Sequence, residues 1–68
     1  MKVLATFIST RDYHIELREY NSLCKVSYNV RLSGPNSTVL INLDFPNYEL
    51  ALDCFMNLVQ YKRFELAL

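Results

Sequence analysis

Four stretches that alternate apolar and polar residues, followed by one stretch of helical period, constrain this chain more than any other feature. Lys2 to Ser9, Asp12 to Tyr20, Leu23 to Leu32 and Ser37 to Phe45 each read as a strand, because side chains two apart share a face of a pleated strand. Pro46 and Asn47 break the alternation. Tyr48, Ala51, Leu52, Phe55, Leu58 and Val59 then recur at helical spacing. The order predicts an α+β fold for residues 1–68 as one domain: a four-stranded antiparallel β-meander followed by one C-terminal helix packed on one sheet face (β-β-β-β-α). Such a unit leaves its second sheet face without cover.

Matching apolar residues across neighbouring strands gives a register. A tight turn at Asn21-Ser22 sets Tyr20 opposite Leu23, Leu17 opposite Val26, Ile15 opposite Tyr28 and Tyr13 opposite Val30, so that apolar meets apolar throughout. Cys24 then points inward, and Asp12 faces Arg31 on the outer side. A turn at Ser33-Gly34-Pro35-Asn36, with glycine free to take a positive φ, places Val39 opposite Val30, Ile41 opposite Tyr28, Leu43 opposite Val26 and Lys25 opposite Asp44. The expected core is Leu17, Val26, Val30, Ile41, Phe55, Leu58 and Val59. The first strand is apolar on both sides. A two-residue turn at Thr10-Arg11 sends Leu4 and Ile8 inward, and a three-residue turn reverses this.

Asn47 suits the N-cap of the helix, and Glu49 suits its first turn. Leu50, Cys54 and Tyr61 form a second apolar row beside the main stripe. At the tail, a continued helix places Lys62 in the middle of that stripe, whereas Phe64, Leu66 and Leu68 alternate with polar or small residues as a short fifth strand would. Small scaffolds with one core commonly gain stability by sharing it. Leu50, Cys54, Tyr61, Phe64, Leu66 and Leu68 are therefore the candidate self-association residues, and a homodimer is the expectation.

Seven basic and seven acidic residues cancel, and the hydrophobic fraction is 51%. Neutrality speaks against a nucleic-acid module, whose phosphate contacts require basic excess. The apolar run Val3 to Ile8 is too short for a signal-peptide core, and no stretch approaches a membrane span. The chain reads as cytoplasmic with reduced thiols, which makes the Asn36-Ser37-Thr38 sequon idle. Cys24, Cys54 and the single histidine do not build a zinc site. His14 with Glu16 on one face lacks a nucleophile, and the carboxylates are dispersed. The one glycine sits in a turn, so no phosphate loop exists. The expectation is a non-enzymatic chain without cofactor or metal.

The outer face would display His14, Glu16, Arg18, Tyr20, Lys25, Asn29 and Arg31, the candidate partner-binding set. Their mixed chemistry points to docking onto another protein. A neutral, motif-free chain of this size matches an inhibitor carried by a phage or mobile element and directed at a host (defence) protein complex. The alternative is a dimeric single-stranded nucleic-acid binder using the same face. Four strands and a helix resemble in order the transcriptional-coactivator single-stranded-DNA binders, a likeness of topology alone.

Overall fold

A computed structural model of the chain describes residues 1–67, with side chains through Arg63. Strands β1 (Lys2–Ile8), β2 (His14–Ser22), β3 (Lys25–Ser33) and β4 (Val39–Phe45) form one antiparallel sheet in chain order, and α1 (Tyr48–Ala67) follows them. The expected β-β-β-β-α architecture is the one found. Among the described residues, no helix is long and apolar enough to cross a membrane.

The helix covers one face of the sheet. Ile15, Leu17, Val30 and Leu32 of the two central strands pack under Ala51, Phe55 and Val59, all 6% exposed or less. Asn47 caps the helix, its Oδ1 accepting from the Leu50 amide at 2.9 Å. At the same end, the rings of Tyr48 and Tyr28 meet edge to face with centroids 5.7 Å apart. The helical backbone continues through Ala67, so the short fifth strand is not formed. Continuation does bring Lys62 into the stripe, where it is only 8% exposed. Its stem is covered and its Nζ stands 3.9 Å from the centre of the Tyr13 ring, which receives the charge on its π face.

Both central pairings differ from the expected register by four residues. Leu17 faces Val30, Ile15 faces Leu32 and Ser22 faces Lys25, so the chain reverses at Leu23-Cys24 rather than at Asn21-Ser22. In the next pair Val30 faces Leu43, Tyr28 faces Phe45 and Leu32 faces Ile41. A slide by an even number of residues keeps every side chain on its expected face while changing its neighbours. Val26 consequently leaves the core: it faces Asn21 and is 44% exposed. Cys24 lies exposed in the turn, well away from an inward position. Arg31 faces Glu16 instead of Asp12, and Asp44 faces Asn29 instead of Lys25.

The loops explain the rest. Ser9 is buried, and its Oγ accepts from the amides of Arg11 (3.3 Å) and Tyr13 (3.1 Å) while its own amide donates to Tyr13 O at 2.9 Å. Asp12 adopts φ 63°, a conformation that aspartate tolerates better than most residues. This is the three-residue turn, and it turns Ala5 and Phe7 toward Leu17 and Ile15 while Ile8 lies outside, 58% exposed. A bulge between Val3 and Ala5 returns Val3 to the outer face opposite Arg18. Gly34 does not use positive φ, having φ −88°. Asn36 and Ser37 take the left-handed conformation instead. Gly34 is buried, and a Cβ there would lie 3.4 Å from Leu40 Cδ1 and 3.5 Å from Tyr13 Cε1.

Candidate functional site

The helix-free face is built from three complete rows of side chains. One row runs Val3, Arg18, Asn29, Asp44; the next runs Thr6, Glu16, Arg31, Asn42; the third runs Ile8, His14, Ser33, Val39. Beyond them, Tyr20 faces Ser27 and Ser22 faces Lys25 on a part of β2–β3 that β1 and β4 do not flank. This free ribbon helps to make the molecule elongated, 44 × 24 × 16 Å. All seven candidate partner-binding residues share the outer face.

They differ in how available they are. Asn29 is 4% exposed although no helix covers it. Its Nδ2 donates across to β4, to Asn42 Oδ1 at 2.7 Å, Asp44 Oδ1 at 2.8 Å and Leu43 O at 3.2 Å. The Oδ1 of Asn29 and the Nε of Arg31 are buried and have no hydrogen-bond partner among the described residues. The Arg18 guanidinium forms an ion pair with Glu16 and also reaches the Tyr20 hydroxyl at 3.5 Å. Partial burial would lower the Arg18 pKa, but the hydrogen bonds and charge of Glu16 and Tyr20 outweigh it and hold the pKa above its ordinary value. The centre of the face is internally bonded, and of the seven candidates only His14, Tyr20 and Lys25 are exposed, on a face that also displays Val3, Ile8 and Val39.

At one end of the face a cleft of about 380 Å³ opens between the β1–β2 and β3–β4 loops, lined by Asp12, His14, Glu16 and the segment 33–37. No hydrogen bond joins the His14 ring to Asp12 or Glu16 among the described residues, although all three line the cleft. Among the described residues, no group of three His, Cys, Asp or Glu side chains could hold a metal ion.

At the opposite end the ribbon carries Leu23 with its side chain wholly in solvent, beside Tyr20 at 38% and Val26 at 44% exposure. Leu23 was not among the residues singled out by sequence, because the register decides that it caps a turn. Of the candidate self-association residues, Leu50 and Tyr61 are exposed and Cys54 is half-buried. Burial, with the charge of Asp53, pushes the Cys54 thiol pKa up. The side chains of Phe64 and Leu66, and all of Leu68, lie outside the described residues. No family model, curated protein or solved structure matches the chain.

Proposed function

We propose that this chain is a non-enzymatic protein-binding module of the cytoplasm that docks through the projecting ribbon and the adjoining helix-free face. One observation carries the reading. A two-stranded ribbon extends past its neighbours and holds a wholly exposed leucine at its tip, an arrangement that contributes no burial to the fold itself. Leu23 is the large apolar side chain that the fold leaves without any contact area, with Tyr20 exposed on the outer face of the same ribbon and Val26 on the other. Leu23 would enter an apolar pocket of the partner, and Tyr20 and Lys25 would supply an aromatic contact and a cation at its rim. The fixed Glu16–Arg18–Tyr20 unit presents Tyr20 at little entropic cost. A chain of 68 residues without net charge suits inhibition by occlusion, the role of a small protein that a phage or mobile element directs at a host defence complex.

The test compares the chain with a Leu23→Asp variant as immobilised bait against host extract. The expected result is one protein species retained by the wild type and lost with the variant, whose fold is unchanged by circular dichroism. Equal retention by both would sink the reading. Binding of a single-stranded oligonucleotide that falls steeply with salt would replace it with the nucleic-acid alternative. Arg18 committed to Glu16, and Asp44 on the same face, both favour the protein partner.

A further inference from the structure

The two edges of the sheet are unlike. The β1 edge carries Lys2 and a bulge between Val3 and Ala5, both devices that prevent strand addition. The β4 edge has its one irregularity at its start, where Leu40 is skipped between Val39 and Ile41, and Ile41–Phe45 pairs regularly with β3. Val39–Phe45 contains no Lys, Arg or Pro, and Leu43 on its helix side is 48% exposed. An unprotected apolar edge strand is a template for another strand.

We propose that β4 is the contact strand of a two-fold homodimer, pairing antiparallel with its own copy about Leu43 to join the two sheets into one. The strand is self-complementary about that residue. Leu43 meets the partner's Leu43, and Ile41 meets the partner's Phe45, on the helix side. Asn42 meets the partner's Asp44 on the outer side. Apolar thus meets apolar and polar meets polar over the regular part of β4, clear of the irregularity beside Ser33. Centring on Asn42 would instead oppose Leu40 to the partner's Asp44. Asn29 sets up the polar pair, because its amide occupies Asn42 Oδ1 and Asp44 Oδ1. Asn42 keeps its amide nitrogen to donate, and Asp44 keeps its second oxygen to accept. On α1, Arg63 stands over the Phe7 ring of β1, and the exposed Leu50 and Tyr61 lie roughly 140–160° from it around the helix, away from the β1 side. Because the pairing leaves the ribbon and the outer face uncovered, it stands or falls independently of the docking reading.

Sedimentation equilibrium of the full chain should find a species of twice the 8.0 kDa chain mass. Leu43→Lys should sediment as a monomer with unchanged circular dichroism, since two ammonium groups would meet on the two-fold axis. Asn42→Asp opposes two carboxylate pairs and should weaken dimerisation about tenfold. Adding Asp44→Asn to it exchanges the two partners and should restore the affinity. A chain that stays at 8.0 kDa, or a Leu43→Lys variant that still dimerises, overturns the proposal. Should Leu43→Lys fail to fold, the Asn42 and Asp44 variants decide: failure of the exchange to restore dimerisation overturns the pairing.

Discussion

Replacing Phe55 by alanine should remove most of the stability of this chain. Phe55 is 6% exposed and belongs to the cluster that joins the helix to Ile15, Leu17, Val30 and Leu32. A buried phenylalanine removes roughly 150–250 Å² from water, which at about 25 cal/mol per Å² is about 4–6 kcal/mol. Alanine retains part of that burial and leaves a cavity, so the expected cost is about 3–5 kcal/mol. A domain of this length has a total stability of about 3–10 kcal/mol. The variant should therefore be largely unfolded or have a urea midpoint far below the wild type, measured at one fixed protein concentration. Met56→Ala, one position along the helix and 45% exposed, is the control and should cost under about 1 kcal/mol. A Phe55→Ala variant that unfolds cooperatively at the wild-type midpoint would refute the packing of α1 on this face.

Asn29→Ala removes three hydrogen bonds at a 4% exposed site and should cost about 2–4 kcal/mol by urea denaturation. Asn29→Asp should cost more at neutral pH, since its carboxylate would face three acceptors, and should recover in acid as that carboxylate protonates and can donate. Thiol labelling should modify the exposed Cys24 readily in the folded chain. Cys54 should react more slowly and, with its folded pKa raised by burial and Asp53, need more alkaline solution than in urea. The sign follows by linkage: the raised thiol pKa contributes stability that is fully present below the unfolded value and is lost as pH rises through the folded one. Labelling of Cys54 in the folded chain at the rate seen in urea would count against its burial.

What could be read from the sequence was parity, and what could not was alignment. Alternation assigns each side chain to a face, and an even slide of one strand leaves that assignment untouched. Hence Leu17, Val30, Phe55 and Val59 of the expected core and the face of the seven outer residues were legible. Ile41 and Leu58 are only partly buried, Ile15, Leu32 and Ala51 complete the core in their place, and Val26, Cys24 and Leu23 were placed wrongly or passed over. Local matching of apolar pairs even favours the register the chain does not use, since the observed one leaves Tyr28 facing Glu19 and Val26 facing Asn21. The loops decide against it. Ser9 and the left-handed Asp12 hold residues 9–13 in a turn, so β2 cannot begin at Asp12, and Leu32 would find Arg11 of that turn opposite it. In the observed pairing His14 meets Ser33, which puts the β1–β2 and β3–β4 loops at one level and lets Leu32 close against Ile15. The surplus length of both central strands then emerges at the other end, as the ribbon with Leu23 at its tip. The availability of the outer residues was equally hidden, because the burial of Asn29 comes from Asn42 and Asp44 on a strand whose register the alternation left open. The ribbon and the bonded centre of the outer face, on which the docking proposal rests, are thus consequences of loop geometry rather than of the hydrophobic pattern.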